Sequence, residues 1–597
     1  MSRHEPPSPR GEVANQQRLL LITALAVGVG LAGGAVAAFL IAMINLITHL
    51  AFAGTLSFAP ADASLFVGGF RIVVVPLVGA LLIGIMARWG SEAIRGHGIP
   101  EVIDRILHGD SRIPAKLTVL KPLSAAIAIG TGGPFGAEGP IIATGGALGS
   151  LLGQLMHVTA DERKTLLAAG ATAGMAATFG TPVAAVLLAV ELLLFEFRAR
   201  SIIPVALAAC AATAVRLVLL GGAPVFPMPQ VSEPTGTALA CYAALGGLVG
   251  LVAVGISRAL YLVEDFYERI PIHWMWWPML GAAVVGVLGL VEPRILGIGV
   301  YNILDALAGR LALGTLAVLV VLKFIAWVGY LGSGTSGGTL APLFTFGSGI
   351  GAIAGALLAA RFPALGISPP VAALVGMAAM FAGASRALLT SVVFAFETTR
   401  QPLGLLPLLA GCTSAALISR IFNRYTIMTE KLARRGVIVP DEYETDYLTR
   451  VTVGSAMSHP VITLDASRGV ETLLAALDSD ERSHHQGFPV VDTTGDLLGV
   501  ITRRDLIGVS GDLPLRALIH RPPIIVAPGQ SLREAADIMV REGVGRLPVV
   551  DPAAPSRVVG ILTRSDLLYA HAPRLRAAED RQPALSVEHL ARNFFRG

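Results

Sequence analysis

A single carboxylate stands inside an apolar, glycine-rich stretch of this chain. The stretch reads GTGGPFGAEGP at residues 130–140, and Glu138 is its one charged residue. No charge occurs from Pro122 to Ala137, and the next charged residue after Glu138 is Asp161. Ionisable groups at membrane depth are costly and usually functional, and irregular backbone is tolerated there only where protein buries it or it lines a wet cavity. The pattern therefore predicts a functional carboxylate inside a membrane domain.

The backbone around Glu138 predicts an anion site. A helix that restarts at Gly139-Pro140 places proline early in the helix, where its missing N–H costs little. The free N–H groups and the positive dipole end of such a helix point at whatever lies beside Glu138. These features together indicate anion binding inside a membrane.

The composition is typical of a membrane protein. Mean hydropathy is +0.68, only 14% of residues are charged, and 67 glycines are spread through apolar segments. Cys210, Cys241 and Cys412 lie far apart in apolar runs, which indicates neither a disulfide nor a metal site. The net charge of +4 argues neither for nor against nucleic acid, and no nucleic-acid partner is expected.

The N-terminal region predicts a cytoplasmic start to the chain. Residues 1–18 are polar, show no cleavable signal peptide, and carry Arg3, Arg10 and Arg18 before the first apolar block. Leu19–Phe52 is free of charge over 34 residues. As a helix it measures roughly 50 Å at about 1.5 Å per residue, which exceeds a hydrocarbon core of about 30 Å. We expect it to be strongly tilted or to leave the membrane before its end.

Many further apolar segments follow, and several are too short to cross a membrane. Such segments are typical of transporters built from discontinuous helices. The candidates are Ile72–Ala87, Ala115–Thr131, Gly139–His157, Pro182–Leu194, Ile203–Leu220, Gly236–Leu262, Trp277–Val291, Leu313–Val328, Gly338–Leu358, Val371–Ala382, Ala384–Glu397 and Leu403–Arg420.

Two pairs of segments indicate an internal repeat of opposite topology. Apolar helices that each end in one glutamate occur at 181–191 and 385–397. Glycine-dense breaks that end in proline occur at 130–140 and 332–342. Two related halves with matching broken helices place a substrate site between them. The alternative is that the small residues only let helices pack closely.

Four ordered motifs carry a family resemblance. They are GHGIPE at 96–101, GAEGP at 136–140, GGTLAP at 337–342 and YTIMTEKLARR at 425–435. These residues resemble the CLC family of chloride channels and chloride/proton antiporters over nearly all of residues 19–436. The resemblance implies an all-α polytopic fold, an inverted repeat of tilted and broken helices. It also implies a homodimer with one anion pathway per subunit, a multi-pass location in the cell (inner) membrane, and cytoplasmic N- and C-termini.

The same resemblance assigns roles to individual residues. Glu138 matches the gating glutamate, whose carboxylate occupies the outer anion position and leaves it when protonated or displaced. A carboxylate is itself an anion and competes for the same N–H groups. Lys121, 17 residues earlier, matches a lysine that adds positive potential. The expected anion-binding residues are His97, Gly98, Ile99, Gly136, Ala137, Gly139, Thr339, Leu340 and Met428.

Two of these positions depart from the family's pattern. His97 stands where the family usually has a serine that donates to the central anion. Its imidazole either binds the anion, more strongly when protonated near its unperturbed pKa of about 6.5, or caps the helix that starts at Ile99. Met428 stands where a tyrosine usually donates a second hydroxyl, and Tyr425 is three residues away. Because both hydroxyl donors are replaced, anion preference stays open.

The position of the inner proton site also departs from the family's pattern. Leu192 stands where antiporters of the family carry an inner glutamate. Its neighbour Glu191 is turned by about 100° around a helix of 3.6 residues per turn, so we expect Glu191 to face a protein interface. Glu138 and Glu191 are the candidates for a proton path. We expect channel-like or weakly proton-coupled transport, with strict chloride/proton antiport as the alternative.

The C-terminal region contains a second repeat. GVITRRD at 499–505 and GILTRSD at 560–566 each end a short β-rich run and begin a helix. The two copies resemble a tandem pair of α/β CBS domains. The resemblance implies adenosine nucleotide (ATP or AMP) contacts at Thr502, Asp505, Thr563 and Asp566. The alternative is a structural pair that binds nothing, and no metal or required cofactor is expected.

These patterns predict the domain organisation and exclude an enzyme. An intramembrane serine nucleophile in the 332–338 loop needs a base, and the histidines of the membrane half show no such pairing. A cation channel needs rings of carboxylates or carbonyls, and the membrane half has only isolated acids. The predicted boundaries are an N-terminal tail at 1–18, a membrane domain at 19–436, a linker at 437–452, CBS domains at 453–512 and 513–571, and a C-terminal tail at 572–597.

Overall fold

A computed structural model describes residues 9–66, 69–108, 111–437, 439, 447–449, 451–473, 486–506, 509 and 513–572. The chain divides into two compact units, one of Gly11–Tyr443 and one of Glu444–Gly597 together with Met1–Arg10. The predicted C-terminal tail beyond residue 572 and the first eight residues lie outside the described residues.

The described residues of the first unit form helices joined by loops, and the α-helices have very different lengths. They are α1 Pro9–Thr48, α2 Gly69–Ile85, α3 Ile99–His108, α4 Leu117–Gly130, α5 Glu138–Leu155, α6 Ala160–Phe179, α7 Pro182–Leu188, α8 Ala199–Leu220, α9 Gly236–Arg269, α10 Trp277–Val291, α11 Val300–Leu307, α12 Leu313–Gly332, α13 Leu340–Arg361, α14 Pro369–Ser385, α15 Leu388–Thr399, α16 Leu405–Phe422 and α17 Glu430–Arg434.

Eight helices in the described part of the chain are long and apolar enough to cross a membrane. Four more apolar helices, α4, α7 with its π-helical continuation to Leu194, α14 and α15, are shorter than that. The unit is therefore a multi-pass membrane domain of full and partial spans. The charge-free Leu19–Phe52 segment is one helix, α1, that continues through a π-helical turn at His49–Ala53.

Close glycine contacts pair helices in the same way in both halves. A Cβ on Gly145 of α5 would overlap the backbone of Gly170 of α6, and a Cβ on Gly170 would overlap Gly145. Gly347 of α13 and Gly376 of α14 show the same reciprocal contact. Because small residues let helix backbones approach closely, the helix-packing interpretation holds for these glycines. Most glycines of 130–140 and 332–342 lie instead in the loops that precede α5 and α13, while Gly130 and Gly332 end the preceding helices and Gly139 lies in the first turn of α5.

The second unit contains two small sheets of the predicted repeat. Strand β1, Leu464–Asp465, pairs in parallel with β2, Gly487–Val491, and β2 pairs antiparallel with β3, Leu497–Thr502. In the second copy, β4, Arg546–Asp551, pairs antiparallel with β5, Ala554–Thr563. The described helices of this unit are Val453–Ala456, Arg503–Leu506, Leu532–Arg541 and Arg564–Tyr569.

Candidate anion site

Three motifs from distant parts of the sequence meet inside the membrane unit. The N–H of Gly96 donates to the carbonyl of Thr335 at 3.0 Å. Gly136 and Gly338 exchange two backbone hydrogen bonds, at 3.2 and 2.9 Å. These bonds join the loops that lead into α3, α5 and α13, so the GHGIPE, GAEGP and GGTLAP motifs lie side by side.

Each of these three helices has a proline within its first three residues. Proline has no N–H, and the other first-turn amides have no acceptor within their own helix. The amides left free at a helix N-terminus, together with the helix dipole, favour an anion. The free first-turn amides that precede the prolines belong to Ile99 of α3, Glu138 and Gly139 of α5, and Leu340 and Ala341 of α13.

Glu138 is buried at this convergence. The residue is 2% exposed, and its carboxylate lies beside the backbone amides of Glu138 itself and of Ala341. Its Oε2 has no hydrogen-bond partner within the described residues. A Cβ on Gly136 would overlap that oxygen, so a side chain at this position would push the carboxylate out of its place. The side chain thus occupies the position that the helix N-termini offer to an anion.

At the walls of the site, the backbones of neighbouring loops are in direct contact. Gly98 has a φ of +93°, and a Cβ on it would lie 2.7 Å from the carbonyl oxygen of Gly139. A Cβ on Gly139 would overlap the carbonyl oxygen of His97 and would lie 3.3 Å from the Cα of Gly338. Side chains at these positions would separate the loops, which explains the density of glycine that the sequence shows there.

His97 is buried beside these loops and is 5% exposed. Neither of its ring nitrogens has a hydrogen-bond partner in the described part of the protein. The expectation that His97 caps α3 is therefore wrong, because Glu101 supplies the cap by accepting from the N–H of Gly98 at 3.0 Å. The other interpretation, in which His97 donates to an anion, stays a prediction.

Lys121 of α4 holds the loop that carries His97. Its buried Nζ donates to the carbonyls of Ile94 at 2.7 Å and Gly96 at 2.9 Å. Glu101 and Lys431 form an ion pair of 3.4 Å, and both interact electrostatically with Lys121. The charge of Lys121 thus acts on the His97 side of the site.

The buried hydroxyl group near the site is not the one that the sequence analysis considered. Met428 is buried, whereas Tyr425 is 36% exposed and stacks under the guanidinium of Arg424 at 5.3 Å from the ring centroid. Tyr425 therefore does not take the position of Met428. A hydroxyl that the sequence analysis passed over, Thr339 Oγ1, is buried without a partner within the described residues. Only the backbone amide of Thr339 was expected to take part.

A cavity of about 390 Å³ leads to the site from one face of the unit. It reaches Gly98 and Lys121, and Lys431 of α17 also lines it. The amphipathic end of α9 contributes Glu264 and Glu268, which sequence reasoning missed because both residues follow the apolar part of that helix. The cavity is a charged vestibule that ends at Gly98, the residue next to His97, while the His97 ring is not among its lining residues.

Glu191 is engaged at the interface between the two halves. Its carboxylate accepts from the backbone N–H groups of Leu389 and Thr390, both at 3.0 Å, and from the Thr390 hydroxyl at 2.6 Å. Glu397 does the reverse, accepting from Val183 at 3.1 Å and Ala184 at 2.8 Å. Each glutamate therefore caps the helix that ends in the other, as an inverted repeat requires.

Each copy of the C-terminal repeat places an aspartate against the threonine that precedes its short helix. Asp505 accepts from both the N–H and the hydroxyl of Thr502 at 2.7 Å, and Asp566 accepts from those of Thr563 at 2.7 and 2.8 Å. Thr502 and Asp505 line a cavity of about 210 Å³ between the two copies, together with Arg546. Thr563 and Asp566 are not among the lining residues of this cavity.

Broken membrane helices whose N-termini converge on a buried glutamate define an anion transport protein. The family model described as "Voltage gated chloride channel" matches residues 78–420, and the CBS domain model matches 453–512 and 515–572. The chain belongs to the CLC family, with a tandem pair of CBS domains, and is a transport protein and not an enzyme.

Known proteins resemble the chain over different lengths. "H(+)/Cl(-) exchange transporter ClcA" of Vibrio parahaemolyticus is 31% identical over 373 residues, which are 60% of this chain and 79% of that protein. "Chloride channel protein CLC-f" of Arabidopsis thaliana is 27% identical over 83% of this chain and 62% of that protein.

Solved structures agree on the fold. A slow cyanobacterial Cl⁻/H⁺ antiporter superposes with a TM-score of 0.64 at 24% identity, over 69% of this chain and 97% of that one. A eukaryotic CLC transporter superposes with a TM-score of 0.59 at 21% identity, over 92% of this chain and 98% of that one. The predicted architecture of broken membrane helices followed by a CBS module is confirmed.

Proposed function

We propose that this protein moves chloride, or a similar small anion, through a pathway that the carboxylate of Glu138 closes. The observation that carries this proposal is the burial of Glu138 among the free amides of α5 and α13. A carboxylate and a chloride ion compete for the same donors, so removing the carboxylate or its charge opens the site. Chloride efflux from liposomes that contain the purified protein tests the proposal.

We propose that the expected anion contacts are the amides around Gly98-Ile99, Gly136–Gly139 and Thr339-Leu340, with the His97 ring beside them. Met428 contributes a buried thioether, which offers no hydrogen-bond donor to an anion. The Thr339 hydroxyl is an additional donor of the kind that the tyrosine position has lost. We also propose a homodimer in the cell membrane with cytoplasmic termini, as the family resemblance implies.

Proton coupling has two candidates. The first is channel-like or weakly coupled transport, supported by Leu192 at the inner position and by the engagement of the Glu191 carboxylate with three donors. The second is strict chloride/proton antiport, favoured by relatives that are named as exchange transporters. We retain weak coupling as the prediction that the residues of this chain support.

The reversal potential distinguishes these candidates. In a chloride gradient with an opposing proton gradient, we expect a potential close to that of chloride alone, because leucine cannot carry a proton. The Glu191→Gln variant should keep the same potential and lose thermal stability, since it weakens the cap on α15. Uphill proton movement driven by chloride would refute weak coupling, and its loss in Glu191→Gln would assign the proton path to that residue.

We propose that the CBS pair regulates transport and does not conduct. Every residue assigned to the pathway precedes residue 437, so a chain that ends near Ile438, itself outside the described residues, should still carry anions. The measurement is efflux from liposomes at matched protein amounts. Loss of all efflux from a truncated protein that elutes and unfolds like the full chain would contradict this separation.

We propose adenosine nucleotide binding in the cavity that Thr502 and Asp505 line. Arg546 in the same lining supplies a positive charge suited to phosphate. The alternative of a purely structural pair rests on the capping bonds, which already engage Asp505 and Asp566. Binding of ATP or AMP to the full-length protein, measured by calorimetry, distinguishes the two.

A further inference from the structure

The His97 ring is a buried polar group whose role the fold does not explain. It is 5% exposed, and both nitrogens lack partners within the described residues. Buried polar atoms in native proteins are nearly always paired, so this ring marks a place where a ligand or a water molecule completes the hydrogen bonds. The ring takes no part in capping α3, which Glu101 caps.

The surroundings of His97 favour an anion as that ligand. Its own carbonyl contacts Gly139 at the start of α5, and Gly98 and Ile99 follow it at the start of α3. Helix N-termini present free amides and positive dipole ends. A neutral imidazole donates one hydrogen bond, whereas an imidazolium donates two and adds a positive charge.

Burial and two nearby lysines oppose an imidazolium at His97. Removal of the ring from solvent is the largest cause, and the charges of Lys431 of α17 and Lys121 of α4 add to it. Glu101 of α3 favours it, but that carboxylate is shared with Lys431 through the 3.4 Å ion pair. Glu138 directly precedes Gly139 at the start of α5, and the first residues of α13 are uncharged. An anion beside the ring would offset the two lysines.

The charged vestibule comes within one residue of this ring. It has a volume of about 390 Å³ and extends from Glu264 and Glu268 to Gly98, the residue next to His97. Neither Glu138 nor the His97 ring itself is among the residues that line it. Leu192 and the hydrogen-bonded Glu191 are not among its lining residues either.

We propose that His97 takes up a proton when an anion enters the site, so that anion occupancy and imidazole protonation are linked. The step is uptake of a solvated proton by a neutral ring nitrogen, which leaves neutral water behind, and the imidazolium returns this proton to solvent when the anion leaves. By linkage, the anion raises the proton affinity of the ring by the same factor as the proton raises the anion affinity. This proposal rests on the proposed anion site and adds a second titrating group to Glu138.

Chloride-linked proton uptake tests the proposal directly. In wild type, chloride also displaces the Glu138 carboxylate, so the experiment uses the full chain with Glu138→Gln. Chloride is titrated into this variant near pH 6.5, the unperturbed range of histidine, by calorimetry in two buffers of different ionisation enthalpy. We expect proton uptake on binding in Glu138→Gln, and less than about a tenth of it when His97→Ser is added, because serine has no group that titrates there.

Two further variants make the assignment specific. His157→Gln in the Glu138→Gln background should keep the full proton uptake, because His157 is exposed and distant from the three loops. His97→Gln replaces His97→Ser if the serine variant does not fold. Chloride binding to Glu138→Gln without proton uptake would overturn the proposal, as would undiminished uptake after His97 is replaced. Absence of chloride binding in wild type and Glu138→Gln alike would contradict the anion site itself, and the His97 proposal with it.

Discussion

Glu138→Gln should give anion efflux that no longer depends on external pH. Glutamine has the shape of the protonated carboxyl group but cannot present a negative charge to the amides of α5 and α13. In wild type we expect efflux to rise as external pH falls, because protonation of Glu138 opens the site. The rise is up to about tenfold per pH unit while the carboxylate is mostly ionised. The variant should vary by less than about twofold between pH 4 and 8, a range that spans the ordinary carboxyl titration.

Efflux of chloride from liposomes at a series of external pH values measures this result. Glu397→Gln is the matched control, because Glu397 also faces backbone amides at a helix start but lies outside the three loops. It should keep the wild-type pH dependence. If Glu138→Gln retains the same pH dependence as wild type, Glu138 is not the gate. Any response to pH that remains on the α17 face would belong to the groups along the vestibule or to His97 beside it.

Lys121→Met should abolish most anion efflux and destabilise the protein. The change leaves the buried carbonyls of Ile94 and Gly96 without a donor, at about 1–3 kcal/mol each. It also removes one of the two lysines whose positive charge acts on the half-buried carboxylate of Glu101. Because the freed loop forms one wall of the site, we expect efflux to fall at least about tenfold. A tenfold fall corresponds to a rise of about 1.4 kcal/mol in the free-energy barrier to transport.

The inverted repeat supplies a matched control for this variant. Lys323 of α12 is buried and donates to the carbonyls of Ile295 at 2.9 Å and Gly297 at 3.2 Å, in front of α11. Lys323→Met should lower the thermal unfolding midpoint while keeping anion efflux, because that loop is not among the three that form the site. Equal loss of efflux in both variants, at equal amounts of folded protein, would show that Lys121 acts only through global stability.

The membrane class and the central carboxylate of the site were predictable from the sequence alone. Apolar runs set the spans, and the lone charge of Glu138 between glycine and proline marked a broken helix. The Thr-x-x-Asp helix starts at Thr502 and Thr563 were equally readable. In each case the signal lies within a few consecutive residues, because helix periodicity and capping are local properties of the chain.

The partners of those residues were decided only by the tertiary structure. The pairings of Gly96 with Thr335 and of Gly136 with Gly338 join opposite halves of the chain. The engagement of Glu191 by α15 and the assembly of the vestibule from α3, α9 and α17 depend on the same long-range packing. No local pattern encodes which backbone groups meet across the repeat. That outcome follows from burying all the helix surfaces at once, with glycines at the points where two backbones must touch.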